Sequence, residues 1–174
     1  MGGHLEIPIK KTTLSGNIYL QTGQDGTNKD LSALNFLIDY AFVSPLGCNL
    51  NLGYEYLSGT PYDEKNKNKS FLPLYGTNHK FNGFMDYFYV SNHANNVGLQ
   101  DIYLQWARKM KKIKLNADIH FFASAAQISN DASKYLGTEI DLAGTYTTNP
   151  TANISLGYSQ MLAEKSMQLL RAVS

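Results

Sequence analysis

The fold class is decided by the stretch IKLNADIHF, residues 113–121. Its odd-numbered residues are apolar, from Ile113 to Phe121, and its even-numbered residues are polar, from Lys114 to His120. Successive side chains of a β-strand point to opposite faces of the sheet, so strict alternation indicates a strand with one apolar and one polar face. In an amphipathic helix the apolar residues would recur at every third or fourth position instead. The stretch therefore predicts a β-strand.

The same alternation recurs along the chain and predicts an all-β protein with long strands. We expect eight of them, at about residues 4–9, 13–22, 32–42, 47–58, 99–108, 113–123, 134–147 and 151–161. Most hold about ten residues, whereas ordinary strands average about 5–6, and about ten tilted residues suffice to cross a bilayer. Large apolar and aromatic side chains share one face, and small and charged side chains share the other. This pattern is typical of an antiparallel up-and-down transmembrane β-barrel, whose apolar face contacts lipid.

A soluble β-sandwich is the alternative fold. Its strands also alternate, but they are shorter, and their apolar faces pack against each other between two sheets. The two folds differ in whether Phe36, Leu52, Trp106 and Ile119 face outward or lie in a protein core.

Composition narrows the function classes. The 174 residues are 17% charged, below the about 25% of a typical soluble domain, and their net charge of +1 argues against a dedicated nucleic-acid binder. The single cysteine, Cys48, cannot form an intrachain disulfide. No nucleophile-elbow, zinc-protease or phosphate-loop motif occurs. We therefore predict a protein that is not an enzyme and that uses no cofactor and no metal.

The connections between the predicted strands alternate between short and long. Short ones are expected at 10–12, 44–46, 109–112 and 148–150, and long ones at 23–31, 59–98 and 124–133. In outer-membrane barrels the short turns face the periplasm and the long loops face outward. Residues 59–98 are thus predicted to be a long extracellular loop, within which the charged run 63–69 is solvated and mobile. Residues 71–90 are too aromatic to remain in solvent, so we expect part of the loop to fold inward.

Three segments resemble one protein family. They are GYEYLSGTPYDE (53–64), FLPLYGTNHKFNGFMDYFYV (71–90) and GLQDIYLQW (98–106). Together they are similar to the alginate-export family of outer-membrane β-barrels of the Bacteroidetes, over roughly residues 14–162. The resemblance implies that residues 1–174 are a partial β-barrel domain, a C-terminal fragment of a longer monomeric barrel in a Gram-negative outer membrane. It also implies polysaccharide export.

The polar face supplies the candidate pore lining. We predict that it lines the lumen with Tyr19, Asn35, Asp39, Asn49, Asn51, Glu55, Asp101, Tyr103, Gln105, Lys114, Asn116, Asp118, His120, Glu139 and Asp141. Acids outnumber bases in this set, and rings of Asp and Glu favour cations. Alternatively, the carboxylates pair with lysines or arginines across strands and only fill the interior. His120 and Asp118, two positions apart, are candidates for a proton-sensitive pair or an ordinary hydrogen bond.

The aromatic part of the long loop supplies the candidate constriction. We predict that it narrows the pore with Tyr75, Asn78, His79, Lys80, Phe84 and Asp86. This part would enter the barrel as a plug or form a hairpin of its own. Alternatively, it packs over the mouth of the barrel for stability alone. The last segment, 162–173, has helical spacing and is expected to be a loop helix.

The sequence therefore predicts a porin-like outer-membrane channel for the passive passage of a hydrophilic solute, for instance a saccharide. Its partners would be the surrounding lipid and that solute. The alternative is a small closed structural or ligand-binding barrel without a pore, because eight strands enclose an interior that side chains fill. Pairing of the first predicted strand with the last would favour this alternative.

Overall fold

The computed structural model of the chain describes residues 1–74, 82–88 and 96–171. In that part of the chain it contains nine strands and one short helix. The strands are β1 (Gly2–Ile9), β2 (Thr12–Gln24), β3 (Asp30–Val43), β4 (Asn49–Leu57), β5 (Lys67–Asn68), β6 (Leu99–Met110), β7 (Ile113–Ala123), β8 (Tyr135–Asn149) and β9 (Ala152–Ala163), and the helix is α1 (Lys165–Arg171). The all-β prediction is confirmed.

Eight of the strands form one antiparallel sheet in the order β1-β2-β3-β4-β6-β7-β8-β9. Each of these eight strands pairs with the one that precedes or follows it, so the chain runs up and down. The four short turns lie at one end of the sheet and the longer connections lie at the other. We call these the short-turn end and the long-loop end. The two-sheet architecture of the sandwich alternative is wrong, because the described residues form one sheet and not two stacked ones.

The sheet is open at both edges. Among the described residues, strand β1 pairs only with β2, and strand β9 pairs only with β8. The closed eight-stranded barrel was the architecture that the alternative without a pore required. The described residues do not form this closed barrel, because their first and last strands do not pair.

A short parallel strand interrupts the region predicted to be solvated. Strand β5 pairs with Asp30 and Leu31 of β3, and its Asn68 is buried. The Asn68 amide donates to Asp25 Oδ2 at 2.9 Å, and Asp25 Oδ1 accepts from the Thr27 hydroxyl at 2.7 Å. The Thr27 hydroxyl and then the Asn68 amide hold the pKa of Asp25 below its usual range. The prediction of a solvated, mobile run over 63–69 is therefore wrong at Asn68.

One face of the sheet is apolar and exposed. We call it the apolar face; a row of its residues crosses the sheet through Ile7, Leu14, Tyr40, Leu52, Leu104, Ile119 and Ile140. Leu52 is 52% exposed, Ile102 is 50% exposed and Leu156 is 79% exposed. The chain thus presents a continuous apolar surface to its surroundings. None of the helical structure in the described residues is long and apolar enough to cross a membrane.

The buried core lies on the opposite face, at the long-loop end. It comprises Ala33, Leu57, Phe71, Phe88, Leu99, Phe122, Leu136, Met161 and Met167. Leu57 ends β4, and Leu99, its cross-strand partner, begins β6. Phe71 and Phe88 come from the connection between these two strands. The core therefore forms where the long connection folds back onto the sheet.

Candidate functional site

The pairing register places all fifteen predicted lumen residues on the face opposite the apolar face. We call this the polar face. One of its rows runs from Asn51 through Gln105 and Asp118 to Asp141 across four strands. The alternation in the sequence is therefore enough to group these residues, although it does not identify which of them touch.

Four carboxylates gather on the polar face near the long-loop end. Glu55 of β4 lies directly opposite Asp101 of β6, and Glu139 and Asp141 project from β8. Asp101 and Glu139 are fully buried, and Asp141 is nearly so. We call these four residues the carboxylate cluster. So many buried acids require hydrogen-bond donors, because an unpaired buried charge is costly.

One donor is an imidazole from the neighbouring strand. His120 Nδ1 lies 2.8 Å from Asp101 Oδ2, and both side chains are buried. The imidazole also stacks on the Phe122 ring, with 5.5 Å between ring centroids. The hydrogen-bond partner of His120 is therefore Asp101 and not Asp118. The sequence spacing did not predict this hydrogen bond, because His120 and Asp101 lie on different strands, β7 and β6.

Asn35 Nδ2 of β3 donates to Glu55 Oε1 at 3.1 Å. Further donors come from residues 82–88, which we call the docked segment. Asn82 Nδ2 donates to Glu55 Oε2 at 3.0 Å and to Asp101 Oδ2 at 3.2 Å. The amide of Met85 donates to Glu139 Oε1 at 2.8 Å, and the amide of Phe84 donates to Asp141 Oδ2 at 3.3 Å. Every member of the carboxylate cluster thus accepts a hydrogen bond from the docked segment.

Apolar packing fixes the other end of the docked segment. The Phe88 ring lies 4.6 Å from the Phe122 ring, centroid to centroid, and both residues are buried. The segment is therefore attached to the polar face of the sheet, which we also call the wall, by polar contacts at residues 82–85 and by an aromatic contact at residue 88. Two independent anchors make it a fixed part of this face.

Gly83 allows the close approach of the docked segment to the wall. Its φ is +81°, and a Cβ at this position would lie 2.4 Å from Glu139 Oε1. Both the backbone conformation and the lack of space therefore favour glycine. The Asn82-Gly83 dipeptide is a turn signal that sequence reasoning could have used to locate this contact.

We expect Gly83→Ala to detach the docked segment from the wall. A left-handed backbone costs a non-glycine residue about 1–2 kcal/mol, and the new methyl group would displace the carboxylate that Met85 contacts. Hydrogen exchange of the Phe84 and Met85 amides should accelerate by about tenfold or more.

The control for this variant is Gly26→Ala, because a Cβ on Gly26 would meet no atom within 4 Å. It should leave exchange of the Phe84 and Met85 amides unchanged. Equal protection of these amides in wild type and Gly83→Ala would contradict the assigned contacts.

The predicted constriction residues fall into two groups. Tyr75, Asn78, His79 and Lys80 lie outside the described residues. Phe84 and Asp86 belong to the docked segment; the Phe84 side chain is 49% exposed, and Asp86 has a left-handed backbone with φ +58°. Sequence reasoning missed Asn82, Gly83 and Met85, which carry the contacts to the wall.

Some polar atoms of this face have no hydrogen-bond partner. Among the described residues, Glu139 Oε2 and Asp141 Oδ1 in the carboxylate cluster are buried and unpaired, as is Asp39 Oδ1 nearby. The described residues assemble no group of three or more side chains able to hold a metal ion. The arrangement therefore gathers carboxyl groups and holds the docked segment against them.

No protein-family model, curated protein or solved structure matches the chain. The resemblance to the alginate-export family accordingly stays a prediction.

Proposed function

We propose that the chain forms part of the wall of an outer-membrane channel through which a hydrophilic solute diffuses. The exposed apolar face is the observation that carries this proposal. Folding normally removes apolar surface from water, with a gain of about 25 cal/mol per Å², and exposed patches on soluble monomers rarely exceed a few hundred Å². Here the apolar side chains of eight strands point outward. Lipid around the sheet would remove these side chains from water without a second layer of protein.

The height of the apolar face fits a bilayer. On β7 the apolar positions run from Ile113 to Phe121, which is about 26 Å along the strand. With the usual tilt this covers most of the band of about 25 Å that lipid-facing barrel surfaces present. Arg108 of β6 lies beyond Trp106 on the same face, at the level where a charged side chain would reach lipid headgroups.

The open edges imply further strands in this setting. Backbone N–H and C=O groups cannot stay unpaired in hydrocarbon, which is why strands cross membranes only in closed barrels. The outer edges of β1 and β9 would therefore pair with strands that complete a larger barrel. We assign those strands to the same polypeptide, as the resemblance to a monomeric barrel family implies.

The polar face would line the water-filled lumen, and the docked segment would narrow it. The acids of this face, Asp39, Glu55, Asp101, Asp118, Glu139 and Asp141, outnumber its lysines. Because rings of acidic side chains select cations, we infer a channel that passes cations or neutral solutes more readily than anions.

Planar-bilayer recording tests this function, with the reconstituted polypeptide that includes the strands completing the barrel. We expect discrete conductance steps and a reversal potential in a salt gradient that indicates cation preference. Asp118→Asn removes a half-buried carboxylate from the polar face and should reduce the cation preference without abolishing conductance.

The matched control is Asp131→Asn, which removes an exposed carboxylate from the connection between β7 and β8. It should leave the reversal potential unchanged. The absence of conductance steps would contradict the channel, and anion preference would contradict the role given to the acidic wall.

A further inference from the structure

Basic residues are concentrated at the short-turn end. The four stretches that make up this end are residues 8–14, 41–51, 106–116 and 145–155, and they contain no Asp or Glu. They hold Lys10, Lys11, Arg108, Lys109, Lys111, Lys112 and Lys114, which are all exposed. We call these seven residues the basic rim. The long-loop end, by contrast, carries charges of both signs.

The backbone conformations of two turns indicate that their lysines do not serve to stabilise the turns. Lys10-Lys11 joins β1 to β2, and Lys111-Lys112 joins β6 to β7, each as a two-residue connection. The first lysine of each pair is left-handed, with φ 55° at Lys10 and φ 46° at Lys111. Gly, Asn and Asp adopt this conformation more easily than lysine does. Two turns of one sheet thus carry the same basic pair at a conformationally unfavourable position.

The register adds a repulsive contact. Lys109 and Lys114 lie directly opposite each other on β6 and β7. Like charges in directly opposed positions destabilise a strand pair. None of the seven basic residues forms an ion pair with a carboxylate within the described part of the chain. The pair of Lys109 and Lys114 lies on the polar face and adds to the positive charge of the short-turn end, which an external anion would offset.

The position of the basic rim relative to the apolar face points to the identity of that anion. Arg108 lies on the apolar face, one row beyond Trp106, and the two Lys-Lys turns lie beyond it at the tips of their hairpins. If the apolar face is in hydrocarbon, the basic rim lies at the level of the headgroups in the leaflet at the short-turn end. We propose that five members of the basic rim, Lys10, Lys11, Arg108, Lys111 and Lys112, bind the phosphate groups of anionic phospholipids in that leaflet. This inference rests on the proposed membrane setting.

Trp106, the only tryptophan of the sequence, reports on the lipids beside the basic rim. The protein is reconstituted in phosphatidylcholine vesicles that contain either brominated phosphatidylglycerol or brominated phosphatidylcholine, and quenching of Trp106 fluorescence is measured. A lysine near an anionic membrane surface raises binding about fivefold. We therefore expect phosphatidylglycerol to associate at least about fivefold more strongly than phosphatidylcholine. Salt at about 1 M should remove the difference, because it shortens the Debye length to about 3 Å.

Two charge-matched variants locate the effect. The first carries Lys10→Gln, Lys11→Gln, Lys111→Gln and Lys112→Gln and should lose the preference for phosphatidylglycerol. The second carries Lys29→Gln, Lys65→Gln, Lys134→Gln and Lys165→Gln at the long-loop end and should keep it. Both remove four positive charges.

The outcomes separate this inference from the proposed function. Equal quenching by both brominated lipids would overturn the lipid role of the basic rim, for example in favour of an acidic protein partner, and would leave the membrane setting intact. Loss of the preference in both variants would also overturn it. No quenching by either lipid would overturn the membrane setting and this inference together.

Discussion

Phe122→Ala is expected to destabilise the protein by about 3–5 kcal/mol, the usual cost of removing a buried phenylalanine ring. Phe122 is fully buried, and its ring contacts Phe88 of the docked segment and His120 of the wall. Its removal would leave a cavity between the wall and the docked segment. Urea unfolding in detergent, followed by circular dichroism, measures the change in the free energy of unfolding.

Phe121→Ala is the matched control for this variant. Phe121 precedes Phe122 on the same strand, lies on the apolar face and is 43% exposed. Its truncation leaves no enclosed cavity, so only part of the transfer free energy of the ring is lost, about 1 kcal/mol. Equal losses of stability in the two variants would mean that the core is not on the polar face at the long-loop end.

Leu104→Arg is expected to weaken insertion into vesicles by about 2–4 kcal/mol, the cost of an arginine on the lipid face near the bilayer midplane. Leu104 lies between Leu52 and Ile119 in the middle of the apolar face. In water the same substitution would cost little, because the Leu104 side chain is already exposed. The size of the effect therefore distinguishes lipid from water on this face. Protease protection, together with the blue shift of Trp106 emission, measures insertion.

Gln105→Arg tests the adjacent position on the opposite face. Gln105 lies across from Asp118 on the polar face, where an arginine would meet a carboxylate. We expect insertion of this variant to match that of wild type. If Leu104→Arg and Gln105→Arg inserted equally well, the apolar face would not face lipid.

The strands and the two faces of the sheet could be predicted from the sequence because alternation is a local signal. Asn35 and Phe36 fall on opposite faces in the sequence pattern and in the sheet alike. The register between neighbouring strands then follows from short hairpins such as Lys10-Lys11. Strand β5 escaped prediction because it has only two residues and pairs with β3 across a long separation in sequence.

The contacts of the docked segment could not be predicted in the same way. Asn82 reaches Glu55, 27 positions away, and Asp101, 19 positions away. No periodicity relates residues at such separations, and the aromatic content of the loop indicated only that part of it must be buried. The sequence pattern thus identified the carboxylates of the polar face but not the donors that the docked segment supplies to them.

The carboxylate cluster has two roles in the proposed channel, and they compete. The same oxygen atoms that would attract a permeating cation accept the hydrogen bonds of Asn82, Phe84 and Met85. While the docked segment is bound, its hydrogen-bond donors would weaken the attraction between these oxygens and a permeating cation. Release of the segment would widen the passage and strengthen its negative potential in one event. Size selectivity and charge selectivity would consequently be linked, so that neither could evolve without altering the other.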